Sequence, residues 1–241
     1  MRLFILLLFL FSIPLLAQSN DLINKVLKEL DISLEDCNQN LFVVKKLPYD
    51  SLISIMVLPI FTEKIEELDF SINAHILMVN NRTGEIIHQF YEENTWISDA
   101  MRINEISIDT APYLINADKR AFGIRVHYYV GSKPNPYSQD LLSLFIPEAK
   151  TLKKILNEYM VYSYSGEWDM FCTGEFIENN KILIVSKEQT NDFYNLIVKD
   201  KVIYLNKMEE GEDCVDKETT ETITTVLKFD GNQYQETSSK E

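Results

Sequence analysis

Between Phe122 and Val130 the side chains alternate, with Phe122, Ile124, Val126, Tyr128 and Val130 at even positions and Gly123, Arg125, His127 and Tyr129 at odd ones. A period of two marks a strand with one face buried and the other wet. Ile124 and Val126 should therefore be buried and Arg125 and His127 solvated. A carboxylate at Ile124 should unfold the domain and one at Arg125 should be mild, because an unpaired buried charge is very costly. Tyr194, Leu196 and Val198 share one face of a second such segment, opposite Asn195 and Lys199. Ile223, Thr225, Leu227 and Phe229 form a third stripe.

The turns agree with the stripes. Asn81-Arg82-Thr83-Gly84 lies between AHILMVN and EIIHQF and suits a type I turn followed by a left-handed glycine, closing an antiparallel hairpin. Lys199-Asp200-Lys201 reads as a tight turn, and Asp230-Gly231-Asn232 as one that returns the chain into Gln233-Tyr234. Strands are expected near 52–60, 70–79, 85–92, 103–109, 121–130, 141–146, 181–186, 193–198, 202–206 and 222–229. Short strands with tight turns predict a mainly β fold: an antiparallel sandwich, barrel or propeller-like sheet arrangement.

Helical spacing occurs over residues 21–30, with apolar residues at 22, 23, 26, 27 and 30. Residues 151–162 fit either state: Leu152, Ile155, Leu156 and Tyr159 are spaced for a helix, whereas Met160-Val161-Tyr162 favours a strand. The expected organisation is a signal segment at 1–17, a helix region at 18–36, one β-rich domain at 37–234 and a disordered polar tail at 235–241.

The signal segment rests on Arg2 followed by an apolar run from Leu3 to Leu16 that only Ser12 interrupts. A bilayer span needs about 20 apolar residues, so the run suits a cleavable secretory signal, cut at Ala17|Gln18 or, failing that, at Ser19|Asn20. No other segment is apolar enough to span, and the expected location is the periplasm or the extracellular space. Formal charge is 23 − 37 = −14, and loss of Arg2 makes it 22 − 37 = −15. Binding to phosphates rests on Lys and Arg, so no nucleic-acid partner is expected.

No pattern marks a catalytic centre. There is no G-x-S-x-G, no S-x-x-K and no glycine-rich phosphate loop, so no cofactor is expected. Paired acids such as Glu66-Glu67, Glu92-Glu93 and Glu209-Glu210 read as solvated faces. Asp213, Asp216 and Asp230 lack the EF-hand pattern. His75 and His88, on opposite arms of the hairpin, are expected on one face, as ordinary neighbours rather than metal ligands. Asn81-Arg82-Thr83 matches a glycosylation sequon but is more simply a turn. Arg120 and Arg125 are the candidate ligand contacts, because two guanidinium groups sharing a pocket would suit a carboxylate. Three cysteines allow three single bridges, Cys37–Cys172, Cys37–Cys214 and Cys172–Cys214. Export favours one bridge. The favoured pair is Cys172–Cys214, since both flank loop-like sequence and hairpins lie between them. Cys37 is then a free thiol.

Several segments together resemble a family of exported hypothetical proteins of Gram-negative bacteria. They are Ser98-Asp99-Ala100, Ile108-Asp109-Thr110-Ala111, the stretch from Arg120 to Arg125, Asn135-Pro136-Tyr137, Leu142-Ser143-Leu144-Phe145 and Gly166-Glu167-Trp168-Asp169. Cys172 to Phe176 and Phe229-Asp230-Gly231 add to them. The resemblance implies the exported compartment and brings no activity with it. The expected function is a non-catalytic binding or scaffolding module of the cell envelope, its partner or ligand unspecified. The rivals are an envelope hydrolase whose residues meet only in space and a purely structural partner of an envelope complex.

Overall fold

A computed structural model describes residues 13–64 and 69–236, with side chains at 21–63 and 69–236. Most of the expected signal run, Glu66-Glu67 and the tail from 237 lie outside the described residues.

Among the described residues, one α-helix, α1 (Ile13–Leu30), and a single 3-10 turn at Leu34–Asp36 precede twelve strands. They are β1 (Val43–Leu47), β2 (Asp50–Lys64), β3 (Phe70–Asn80), β4 (Ile86–Ser98), β5 (Arg102–Leu114) and β6 (Arg120–Val130). Then follow β7 (Tyr137–Glu148), β8 (Thr151–Trp168), β9 (Gly174–Thr190), β10 (Phe193–Glu210), β11 (Asp213–Phe229) and β12 (Tyr234–Glu236). The ladders are antiparallel except for one parallel rung, Gln89↔Thr151, where β4 meets β8. The sheet does not close into a barrel, and a sandwich-like β fold results.

Three apolar clusters stack the layers. Leu22, Val26 and Leu27 of α1 cover Met56, Leu58, Leu77 and Val79 on the outer face of β2–β3. Ile55, Val57, Ile72 and Ile76, on the other face, pack against Ile106, Ile108, Phe122, Ile124 and Phe145. Leu142, Leu144, Ile155 and Leu156 then meet Leu196, Val198, Leu227 and Phe229, because β10–β12 fold back over β7–β8. The middle layer is thus buried on both faces, which is why β7 reads as the nearly continuous run LLSLFI. α1 ends at Asp31, left-handed at φ 55°, with the Ile32 N–H closing on Leu27 O at 3.0 Å.

Hairpin β3–β4 turns as expected. Asn80 Oδ1 accepts the N–H groups of Arg82 and Thr83, Gly84 takes φ +83°, and Asn81 Nδ2 donates to Ser51 O. Residues 151–162, ambiguous in sequence, belong to one strand, β8. Three register shifts against β7 interrupt its alternation, and each bulge inserts a residue, so apolar positions recur at three and four as they would in a helix. The expected turn at Lys199-Asp200-Lys201 is absent: β10 runs straight through it, pairing Asp200 with Lys181 and Ile223. Asp200 of this triplet is buried between Val198 and Val202. Only Leu227 and Phe229 of the third stripe reach the core, and Ile223 is exposed. The domain also extends to Glu236, which pairs with Leu227, two residues past its expected limit.

Candidate functional site

Four strands outrun the layered base and form an arm. Residues 162–168 of β8, 174–182 of β9, 199–210 of β10 and 213–223 of β11 pair in that order. Residues 134–136 close its outer edge, with Trp168 N–H donating to Pro134 O at 2.8 Å and Gly166 N–H to Pro136 O at 3.1 Å.

Alternation gives the arm two unlike faces. On one, Tyr164 and Phe176 stack with ring centroids 6.0 Å apart, and Phe176 is only 7% exposed. Gly166 sits beneath the Phe176 ring; a Cβ there would lie 2.2 Å from it, so no larger residue fits without movement. On the other face the rows Ser165↔Ile177↔Tyr204 and Glu167↔Glu175↔Asn206 form the floor of a cleft of about 1050 Å³. Pro134 and Asn135 contribute at one side and Asp169 and Thr173 at one end.

The end of the cleft is a fixed loop. Asp169 Oδ1 accepts the N–H groups of Phe171, Cys172 and Thr173 at 2.8–3.0 Å. The hydrogen bond from Phe171, with those from Thr173 and Cys172, holds this carboxyl below its ordinary pKa, against the opposing effect of desolvation. Cys172 is bonded to Cys214, as expected, which ties the loop to the β10–β11 hairpin. Phe171 stands at the tip with 87% of its surface exposed. At the root, Tyr204 Oη donates to Glu221 Oε1 at 2.7 Å, and Asp200 is buried with Lys181 4.0 Å away.

The lining chemistry is acceptor-rich. Glu167 and Glu175 face each other directly, Asn135 and Asn206 offer amides, and Ser165, Thr173 and Tyr204 offer hydroxyls. Among the described residues, no Lys or Arg lines the cleft. Such a surface suits a ligand rich in hydroxyl or amine donors and disfavours phosphate and carboxylate.

A second cluster lies where β4 and β8 diverge. Lys154 Nζ donates to Glu92 Oε2 at 2.6 Å and Asn157 Oδ1 at 3.0 Å, over the Phe90 ring. Nearby Glu158 takes φ 44°, with its N–H donating to Ser143 Oγ. Burial raises its pKa, Lys154 opposes the rise and Glu92 adds to it. Phe90, Trp96, Ile124 and Phe145 wall the small cavity beside it.

No family model, curated protein or solved structure matches this chain.

The arginines singled out from sequence do not meet. Arg120 shares the parity of Phe122 and Ile124 and lies 3.9 Å from the centre of the Tyr49 ring, while its Nη2 donates to Thr110 O. Arg125 lies on the other face of β6, where its Nε and Nη2 both donate to Asp109 Oδ2. The same carboxylate accepts the Ala111 N–H and Tyr113 Oη. Burial pushes Asp109 up, but the Ala111 and Arg125 hydrogen bonds outweigh it and leave its pKa below the ordinary value.

The histidines separate too. Val79↔Ile86 keeps the register expected beside the turn, but a bulge before Met78↔His88 shifts it by one, so His75 pairs with Tyr91. A one-residue slip reverses faces, and His75 and His88 end on opposite sides of the sheet. Cys37 is buried and forms no disulfide, and its thiol donates to Ser33 O. Sequence reasoning alone passed over the cleft residues, although three segments that carry the resemblance, at 135–137, 166–169 and 172–176, border it. The local signal was Gly166 set between Tyr164 and Trp168, aromatic residues alternating with a missing side chain.

Proposed function

We propose that the chain is an exported binding module of the cell envelope, in which the layered base holds out the arm and the arm's cleft takes the ligand. The observation that carries this reading is the cleft floor, with two carboxylates, two hydroxyls and an amide set in register on one sheet face. The Cys172–Cys214 bridge suits an oxidising compartment, and no described helix is long and apolar enough to cross a membrane. The resemblance to exported proteins of Gram-negative bacteria belongs to the same reading. A ligand consistent with the lining is an oligosaccharide that carries no anionic groups.

Calorimetric titration tests this with chitohexaose, a chitosan hexamer and a heparin hexasaccharide as probes. Saturable binding of either of the first two, without heparin binding, is expected. Tighter binding of heparin, or of none of the three, would count against the reading. A second reading, an envelope hydrolase, draws support from Glu158, a carboxyl of raised pKa in strained backbone beside an apolar cavity. It requires that the same oligosaccharides be cleaved, and that Glu158→Gln stop the cleavage.

A further inference from the structure

The arm is closed along one edge and open along the other. At the closed edge, residues 134–136 bring two prolines alongside β8, and proline offers no N–H to a further strand. At the open edge, β11 pairs with β10 without a register shift from Asp213 to Thr225, and β12 joins its outer side only at 227–229. Seven of the 13 residues from Asp213 to Thr225 are β-branched, and none is proline or glycine. A long, regular, β-prone edge is a template for another strand.

The side chains name the strand that fits. On the cleft face, β11 presents Val215, Lys217, Thr219, Glu221 and Ile223. The series is self-complementary about Thr219. Antiparallel pairing with a second copy centred there sets Lys217 opposite Glu221 of the partner subunit, twice, and Val215 opposite Ile223 of the partner subunit, twice. On the reverse face, Asp216 meets Thr222 of the partner subunit and Glu218 meets Thr220 of the partner subunit, so no like charges are opposed. A centre half a residue further on would oppose Glu218 and Glu221. A centre at Thr220 would set Lys217 against Ile223. Among the described residues Lys217 has no ion pair, and Glu221 uses only Oε1 to accept from Tyr204.

We propose that two copies of this chain join along β11, antiparallel about Thr219, into one sheet that runs through both arms. Directly opposed residues of an antiparallel pair lie on the same face, so both clefts open on one side. The pairing does not depend on what the clefts bind, but it would present two sites to a polymeric ligand.

Sedimentation velocity from micromolar to sub-millimolar concentration tests the pairing. The wild-type chain is expected to dimerise. Lys217→Glu and Glu221→Lys should each weaken the dimer by about tenfold or more, and the double variant Lys217→Glu/Glu221→Lys should restore it. Both positions are on the exposed arm, so circular dichroism of the variants should be unchanged. Under oxidation, Thr219→Cys should cross-link into dimers faster than Thr222→Cys. A chain that stays monomeric, a dimer indifferent to the charge reversals, a double variant that fails to recover, or equal cross-linking at both positions would overturn the proposal.

Discussion

Ile124→Asp is expected to abolish the cooperative unfolding transition of the domain, whereas Arg125→Ala, one residue away, should leave it folded with a lower midpoint. Ile124 is 1% exposed between two packed layers of the sheet. A carboxylate there costs more than about 4 kcal/mol, a large part of a domain's total stability. Arg125 is about one-third exposed, but its guanidinium satisfies Asp109, whose side chain is only 14% exposed. Removing it should cost about 2 kcal/mol, or about 4–8 °C in thermal midpoint for a domain of this size. Arg125→Asp is no longer mild, because it sets a second carboxylate beside Asp109.

The Arg125 effect should also depend on pH. The pKa of Asp109 is lowered in the fold, so its contribution is present above the unfolded value of about 4 and is lost as pH falls through the folded value. The gap between wild type and Arg125→Ala should be constant near neutrality and narrow below about pH 4. Differential scanning calorimetry across pH checks both points. Equal midpoints for Ile124→Asp and Arg125→Ala would show the face assignment to be wrong.

Replacing Cys172 and Cys214 by serine is expected to lower stability by roughly 3–4 kcal/mol, the loop-closure entropy for a bridge of this span. The residues are separated by 42 positions in sequence. The loss should begin locally. Beyond Asp200 the arm's buried apolar side chains are few, Val202 and Phe176 among them, and the bridge is the covalent link between its tip loop and the β10–β11 hairpin. Hydrogen exchange at 170–175 and 208–214 should accelerate before that of β6 and β7. Unchanged exchange at the tip in the double serine variant would show that Asp169 and the ladders suffice to hold it.

Much of the fold was legible because a half-buried strand writes its burial into a period of two. Residues 122–130 needed nothing else. Legibility failed where one strand serves two environments. β10 passes into the arm at Lys199-Asp200-Lys201, and three successive charged residues there imitate a turn, although Val198 and Val202 on either side are buried. It failed again at bulges, since one extra residue opposite Met78 separates His75 from His88 and three shifts make β8 look helical. The role of Arg125 was hidden because Asp109 lies 16 residues away across a bulged ladder. The disulfide was legible because few pairings competed. The cleft was not, because its floor depends on the register of three strands.

Amide chemical-shift mapping during titration with chitohexaose tests the central claim most directly. The arm-cleft reading predicts shifts at 135, 165–167, 173–177 and 204–206, with the β6 and β7 amides unmoved. Shifts centred on Glu92, Lys154 and Glu158 instead, or spread over the base of the fold, would contradict it.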